Sequence, residues 1–371
     1  MIVSEAEKKL ILSLLSCDGF GRKTVETIIN EVRQHTETPE RFLEVIATSK
    51  TISSKIKNVC SSIKKYDLGS KYDSLMHALE KDSIRVLWQG DPHYPPLLVA
   101  TEDPPLCLFT KGQSEVLTKP CIAVIGTRKM TAYGAFATKH ITQQLLDGSD
   151  AVIVSGCMYG VDARAHQIVL QNAKSTIGVL GYGFSHVYPQ SVAQMLEQIV
   201  QTGGCLVSEY VPSKSPRPGY FLARNRIIAG ISLGTIVVEA GAKSGSHATA
   251  IRAAELGREV FAVPGPITNP YSEGPKQLIN DGALLISSGI DVLEALHLYL
   301  GGGGKSRFHP LQTELANPKA GALLDLLREY PQSEDSLLQT LQLPSQQLAV
   351  LLTELELQGS IERNGILWYL K

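Results

Sequence analysis

Residues 121–141 read CIAVIGTRKMTAYGAFATKHI, and this stretch decides the fold class. It opens with the apolar, β-branched run Cys121–Ile125, turns at Gly126, and then takes a helical pattern. This order predicts the strand–turn–helix unit of a nucleotide-binding α/β fold. The glycine triplet of a dinucleotide fingerprint is missing, since Arg128 stands where a second glycine would let a pyrophosphate touch the backbone. The turn therefore offers a guanidinium as well as amides to an anion.

Strand-like and helical segments alternate from this unit onward, from residue 121 to about 297. Several of the strands are apolar throughout, which is typical of a parallel sheet covered on both faces. The alternation predicts an α/β protein with an extended, doubly wound Rossmann-like parallel sheet. The predicted strands are 122–125, 151–154, 176–180, 206–208, 235–238, 260–263 and 283–286. Two more β-like runs, 84–88 and 106–110, flank a proline-rich connection.

The length of 371 residues indicates more than one domain. A glycine run at 301–304 and an Asn364-Gly365 turn mark a linker and the hairpin of a wing. The predicted organisation is a helical domain of the helix-hairpin-helix or SAM-like type over 1–75, a Rossmann-like core over 80–300, a flexible linker over 301–317 and a winged helix over 318–371. The winged helix has more acidic than basic side chains, so we expect it to bind protein or cap the core.

The N-terminal helical segment contains the turn Gly19-Phe20-Gly21, followed by a helix. One interpretation is a helix-hairpin-helix unit, whose glycines allow a tight turn and whose second helix presents amides to a DNA phosphate. The other is a packing hairpin with a solvated lysine face. The sequence leaves both interpretations open.

The bulk composition excludes a global basic field, because the formal net charge is -1. Any polyanion site must therefore be a local concentration of charge. The six cysteines are scattered without a C-x-x-C pair, which favours reduced thiols. The N-terminus lacks a signal-peptide layout, and no apolar run approaches the ~20 residues needed to cross a bilayer. We expect a cytoplasmic protein that does not engage a membrane.

The candidate site consists of the residues that follow the predicted strands, because ligands of an open parallel sheet bind beyond the carboxyl ends of its strands. Glycines there allow close backbone approach, serines offer hydroxyls, and cations offer charge. The stretch GYFLARNRI places an aromatic ring beside cations, the combination that binds single-stranded nucleic acid. The predicted DNA- or phosphate-binding residues are Gly126, Thr127, Arg128, Lys129, Ser155, Gly156, Arg217, Phe221, Arg224, Asn225, Arg226, Lys243, Ser244, Gly245 and Ser246.

Signals for catalysis, metal binding or a cofactor are weak. Asp162 and His166 lie four residues apart on one helix face, where a structural role is favoured over catalysis. Glu239 ends a strand and is either catalytic or bonded to nearby loop amides. Metal-ligand spacings and the P-loop are both missing. The sequence predicts a protein that holds phosphate without breaking a bond, with no catalytic residue, metal or cofactor.

These motifs resemble the bacterial DNA-processing protein A family, also called Smf. The matching stretches, which run in order over about 91–286, are DPHYPPLL, AVIGTRKMTAYG, SGCMYGVDARAH, GYGFSHVYP, FLARNRIIAGIS, EAGAKSGSHATA, REVFAVPGPI and KQLINDGALLI. The resemblance implies a Rossmann-like domain that binds single-stranded DNA and forms a homodimer. It also implies protection of incoming strands in natural transformation and loading of a RecA-type recombinase.

The resemblance carries three motifs over to this chain. The family's G-S/T-R turn falls on Gly126 to Arg128, its aromatic-plus-R-N-R stretch on Phe221 and Arg224 to Arg226, and its S-G-S/T loop on Ser244 to Ser246. Two positions depart from the family pattern. Leu222 replaces a frequent proline, which alters the stiffness of the loop, and His247 replaces a frequent leucine, which adds pH sensitivity beside an anion site.

Two other functions stay open from the sequence. Nucleoside-monophosphate phosphoribohydrolases carry P-G-G-x-G-T-x-x-E, and ISLGTIVVEAG offers Gly234-Thr235 and Glu239 in partial agreement. The glycine pair is missing there, the glutamate falls one residue late, and the segment has a strand pattern. A structural adaptor, whose winged helix recruits partners, is the other alternative, but it leaves the phosphate-ready loops unexplained.

Overall fold

The computed structural model describes residues 3–35, 41–61 and 65–298, together with 323–324, 326–327, 332–341, 343–357, 361–364 and 367–370. The chain divides into two compact units, Met1–Leu300 and Gly301–Lys371. The predicted linker over 301–317 lies outside the described residues. Within the described ranges, every helix is too short or too polar to span a bilayer.

The first compact unit begins with a helical part. Its helices are α1 (Glu5–Leu15), α2 (Arg22–His35), α3 (Phe42–Thr48), α4 (Ser54–Ser61) and α5 (Lys65–Lys81). Ser4 and Glu7 form a capping box at the start of α1. Gly19 has φ 88°, a left-handed conformation that glycine adopts without strain, and it turns the chain between α1 and α2.

A nine-stranded sheet follows. Its strands are β1 (Arg85–Trp88), β2 (Cys107–Gly112), β3 (Cys121–Ile125), β4 (Val152–Ser155), β5 (Thr176–Leu180), β6 (Cys205–Ser208), β7 (Gly234–Val237), β8 (Glu259–Ala262) and β9 (Leu284–Leu285). The spatial order is β1-β2-β6-β5-β4-β3-β7-β8-β9. Strands β3 to β9 pair in parallel, whereas β2 pairs antiparallel with both β1 and β6. The predicted extended Rossmann-like sheet is confirmed.

The helices that join these strands cover both faces of the sheet. They are α6 (Pro96–Val99), α7 (Ala132–Gly148), α8 (Val161–Gln171), α9 (Ala193–Gln201), α10 (Pro218–Ile231), α11 (Gly245–Glu255), α12 (Glu273–Asn280) and α13 (Gly289–Ala295). Strands β3 to β5 are buried at every position because apolar layers lie on each side of them. The chain winds outward from β3 to β6 and then restarts at β7, so the topological switch point lies between β3 and β7.

The N-terminal helices share a hydrophobic core with the antiparallel edge of the sheet. Phe20 from the α1–α2 turn is buried in the same cluster as Trp88 of β1 and Phe109 of β2. Helix α5 runs from Lys65 to Lys81, so the domain boundary predicted near residue 75 falls inside a helix. The helical part ends at Lys81 and the sheet begins at Arg85, and both belong to one compact unit.

The second compact unit contains the helices Glu334–Leu341 and Ser345–Leu357 and a small antiparallel sheet. Its strands β10 (Gln332–Ser333), β11 (Ile361–Asn364) and β12 (Leu367–Leu370) pair in the order β10-β12-β11. Leucines of both helices and Trp368 form its core. Helices backed by a hairpin confirm the predicted winged helix. Most of its first predicted helix, and Gly365 of the predicted turn, lie outside the described residues.

Candidate nucleic-acid interface

A cleft of about 560 Å³ opens beyond the carboxyl end of β3, beside the switch point. Three segments line it: the turn after β3, the first half of α10 and the start of α11. The structure brings ten of the predicted site residues to this cleft: Gly126, Thr127, Arg128, Arg217, Phe221, Arg224, Asn225, Ser244, Gly245 and Ser246. Five others, Lys129, Ser155, Gly156, Arg226 and Lys243, are not among its lining residues.

The turn after β3 is clamped from two sides. The Thr127 amide donates a hydrogen bond to the Glu239 carbonyl at 2.6 Å, and the Ser246 hydroxyl donates to the Gly126 carbonyl at 2.7 Å. A Cβ at Gly126 would lie 2.5 Å from a Val161 methyl carbon, so only glycine fits there. The clamped turn leaves Arg128 exposed at the edge of the cleft.

An aromatic wall faces this arginine. The guanidinium carbon of Arg128 lies 5.9 Å from the centroid of the Phe221 ring, within reach of a cation–π interaction. Phe221 in turn packs against Tyr188 at 5.5 Å and Tyr182 at 6.2 Å between ring centroids. Tyr188 also lines the cleft and is 43% exposed. Sequence reasoning singled out its loop, GYGFSHVYP, but not the tyrosine itself.

The start of α11 supplies amides and small residues. Ser244 caps the helix by accepting a hydrogen bond from the His247 amide at 3.2 Å. Asn225 ties α10 to α11 by donating to the Gly245 carbonyl at 3.2 Å. A capped helix N-terminus with exposed glycine is a favourable place for an anion. His247 itself is buried, and Leu222 is 60% exposed within α10.

Arg224 forms the floor of the cleft and is committed to the protein. It is buried and donates hydrogen bonds to the carbonyls of Gly156, at 2.7 Å, and Val179. Burial lowers the pKa of Arg224 and raises the pKa of Asp162 to about 6, while the attraction between the two groups opposes both shifts. The structure therefore corrects the role predicted for Arg224, which donates its hydrogen bonds to main-chain carbonyls and to the Asn225 side chain.

The loop after β4 lies beneath this floor. A Cβ at Gly156 would lie 2.6 Å from the Asp162 carboxylate and 2.7 Å from the Arg224 guanidinium, so glycine makes room for that pair. The Ser155 hydroxyl is buried and donates to the Val124 carbonyl at 2.7 Å. Neither residue contributes a surface to the cleft, which corrects both predicted contacts.

Arg226 points to a different face of α10. It donates to the Asp103 carbonyl at 2.9 Å and to the carboxylate of Glu209. Arg22 of α2 reaches the same acids: it pairs with the carboxylate of Asp103 and lies 3.3 Å from that of Glu209. This network ties α2 to the core, and it corrects the phosphate-binding role predicted for Arg226. Lys129 and Lys243 are exposed beside the cleft.

Glu239 and His166, the residues considered for acid or base chemistry, are hydrogen-bonded to other residues of the protein. Glu239 accepts hydrogen bonds from the Thr131 amide at 2.9 Å, the Thr131 hydroxyl at 2.6 Å and the Asn269 side chain at 2.9 Å. The interpretation of Glu239 as a loop-bonding carboxylate is confirmed. His166 is buried against the Thr176 hydroxyl at 2.8 Å, and burial lowers its pKa to about 3, so its structural role is also confirmed.

Cysteines and metal-ligating side chains form no site in the described part of the chain. All six cysteines are buried thiols. Burial raises the pKa of Cys157 to about 12, which keeps it protonated and unreactive. Across the described ranges, no group of three or more His, Cys, Asp or Glu side chains is placed to hold a metal ion.

Comparison with known sequences adds to this geometry. The family model of DNA recombination-mediator protein A matches residues 85–297, and that of the DprA winged helix domain matches residues 309–365. The DNA processing protein DprA of Bacillus subtilis (strain 168) is 40% identical over 227 residues, which cover 61% of this chain and 76% of that protein. Protein Smf of Escherichia coli (strain K12) is 37% identical over 287 residues, or 76% of each protein.

Two solved structures resemble this chain. The structure of DNA processing protein A from Streptococcus pneumoniae has a TM-score of 0.63 and 31% identity, covering 79% of this chain and 98% of that one. The structure of DNA processing protein A from Helicobacter pylori, described for its single-stranded DNA binding mode, has a TM-score of 0.51 and 30% identity. It covers 58% of this chain and 95% of that one.

Proposed function

Because this chain belongs to the DNA recombination-mediator protein A family, we propose that its cleft binds single-stranded DNA. The observation that carries the proposal is the exposed Arg128 guanidinium beside the ring of Phe221, at the switch point of the sheet. The Helicobacter pylori relative, which binds single-stranded DNA, supports the same ligand.

The chemistry of the cleft favours an unpaired strand over a duplex. Phe221 and Tyr188 offer ring surface to a base, and a base can stack there only when it has left its own duplex. Arg128 and the amides at the start of α11 suit phosphates, which carry no sequence information. We expect binding with little preference for base sequence.

The proposed role extends to natural transformation and recombination. A strand whose phosphates and bases are covered is protected from nucleases. Because the strand is held by its backbone and not by its base sequence, it can be transferred to another protein. We propose that this chain shields incoming DNA and helps load a RecA-type recombinase, in keeping with the mediator family to which it belongs. We propose a cytoplasmic location, since its six cysteines are buried thiols.

We propose that the protein acts without catalysis, metal or cofactor. The carboxylate that a phosphoribohydrolase would use corresponds to Glu239, which is 1% exposed and bonded to Thr131 and Asn269. The segment before it forms β7 rather than the start of a helix. Both observations favour a binding protein over that enzyme.

We propose a homodimer that uses the β9 edge of the sheet. Leu284 and Leu285 are 44% and 56% exposed on this edge strand, and exposed apolar edges pair readily with a second chain. Leu285→Lys is expected to shift sedimentation from dimer to monomer at equal protein concentration. A wild-type protein that sediments as a monomer would overturn this part of the proposal.

The test of DNA binding is a salt-titrated assay with one oligonucleotide offered single-stranded and annealed to its complement. We expect tighter binding of the single strand, and an affinity that falls with salt as counterions are released. A scrambled oligonucleotide of the same composition is expected to bind equally well. Equal affinity for strand and duplex at moderate salt would contradict the proposal.

A further inference from the structure

A second cavity, of about 340 Å³, lies against a different face of α10 from the cleft. Tyr220, Ala223 and Arg226 of α10 line it, whereas the neighbouring Phe221 lines the cleft. The start of α2 and the segment after β6 complete its walls. The two cavities are therefore separated by the first turns of one helix, and the α1–α2 turn borders the second.

Glu209 is the acidic residue that lines this cavity, and its charge is already neutralised. The Glu209 carboxylate is paired with Arg226 and lies 3.3 Å from Arg22. Two lysines remain on the rim: Lys23 is exposed, and Lys214 lies 3.6 Å from the solvent-exposed Asp18. Because Asp18 is fully exposed, its pair with Lys214 is weak, and the Lys214 ammonium group can turn toward an anion. The exposed ammonium group of Lys23 can do the same.

A column of planar groups links the two cavities. Arg217 lines the cleft, and its guanidinium carbon lies 5.9 Å from the centroid of the Tyr220 ring. Tyr220 stacks on Tyr210 with 4.3 Å between centroids and 22° between planes. Tyr210 lines the second cavity. Arg217, Tyr220 and Tyr210 thus form a chain of contacts that runs from the cleft to the second cavity.

We propose that the second cavity binds the continuation of the DNA strand held in the cleft, with phosphates at Lys23 and Lys214 and a base or sugar against Tyr210. This inference rests on the proposed function of the cleft. It gives the α1–α2 turn a function, because the buried Phe20 fixes the start of α2 at the cavity. The first turn of α2 carries no acidic residue that would repel a phosphate.

The test measures affinity and salt dependence for oligothymidylates of increasing length. The wild type is expected to gain affinity in two steps, as a strand first fills the cleft and then reaches the second cavity. K23Q/K214Q is expected to lose the second step and about 1.4 units of salt slope on long strands, since each phosphate on a single strand contributes about 0.7. Short strands are expected to bind the variant and the wild type equally.

Lys276→Gln provides the matched control, because Lys276 is exposed and lines neither cavity. A K23Q/K214Q protein that keeps the wild-type slope on long strands would overturn the inference and leave the cleft untouched. A wild type that binds no strand of any length would instead overturn the proposed function. Thermal melting of each variant confirms that a loss of binding is not a loss of fold.

A second measurement locates the strand directly. A terminal 5-iododeoxyuridine, placed on strands of each length, is expected to crosslink to the peptide that contains Tyr210 only when the strand is long. Tyr210→Leu is expected to abolish that crosslink while short strands bind normally. Crosslinking of long strands to Phe221 alone would contradict the path.

Discussion

The R-N-R stretch of α10 and the turn after β3 carry the same cation and use it differently. Arg224 and Arg226 donate hydrogen bonds to main-chain carbonyls and to the Glu209 carboxylate, whereas Arg128 is exposed beside the ring of Phe221. The difference lies in what surrounds each side chain. A buried guanidinium must be satisfied within the protein, so an arginine holds a ligand only where the fold leaves it exposed.

The largest effect that tests this comparison is a loss of stability in Arg224→Leu. Removing the guanidinium leaves two buried carbonyls and the Asp162 carboxylate without their partner, which we expect to cost about 3–5 kcal/mol in the free energy of unfolding. Urea denaturation measures it. A variant of unchanged stability that no longer binds DNA would place Arg224 among the ligand contacts instead.

The pH dependence of stability tests the same buried pair. Burial raises the pKa of Asp162 to about 6, above the ~3.9 of the unfolded chain. Between these values the folded state binds the extra proton, so this group makes stability fall as pH rises, by on the order of 2 to 3 kcal/mol. We expect the wild type to lose more stability than Asp162→Asn between pH 4 and 6, and parallel curves would refute the prediction.

Arg226→Ala is expected to have a smaller effect on stability, because Arg22 continues to neutralise Glu209. The lost charged hydrogen bonds are worth about 2 kcal/mol, measured as a shift in the urea midpoint. The salt slope for DNA is expected to stay at the wild-type value. A shallower slope in a stable protein would show that Arg226 contacts phosphate after all.

Phe221→Ala separates stacking from charge in the cleft. We expect a loss of about 1–3 kcal/mol in affinity for single-stranded DNA, since one base loses its stacking partner. The salt dependence is expected to stay the same, because no counterion release is linked to the ring. Phe136→Ala, which removes a ring that is 65% exposed on α7 and lines neither cavity, is the control and is expected to retain the wild-type affinity. Equal losses in both variants would argue against stacking at Phe221.

Much of the fold could be predicted from local patterns, because strands buried on both faces are apolar at every position, as in Cys121–Ile125. Long-range partners leave no such trace. Asp103 lies far from Arg226 in sequence, so the network that takes this arginine away from the cleft is invisible in the R-N-R motif. The core of the N-terminal helices is another case, since Trp88 and Phe109, which lie far along the sequence, complete it.

In the candidate site, too, features set by local sequence are predictable and features set by long-range contacts are not. The turn at Gly126 is visible in the sequence because glycine has a local backbone role, whereas the capping role of Ser244 appears only in the structure. Tyr188 was missed because its place beside Phe221 depends on how a loop folds back over the sheet. Ser155 follows a predicted strand and is therefore predicted to bind phosphate, yet its hydroxyl donates a hydrogen bond to the Val124 carbonyl of the neighbouring strand.

The salt dependence of single-stranded DNA binding by Arg128→Ala tests the central claim most directly. If Arg128 holds a phosphate, the slope of log affinity against log salt falls by about 0.7, because one fewer counterion is released. Arg128→Lys restores the slope but only part of the affinity, since an ammonium lacks the planar fork. The melting temperature stays at the wild-type value. An unchanged slope, or a variant that melts early, would contradict the account.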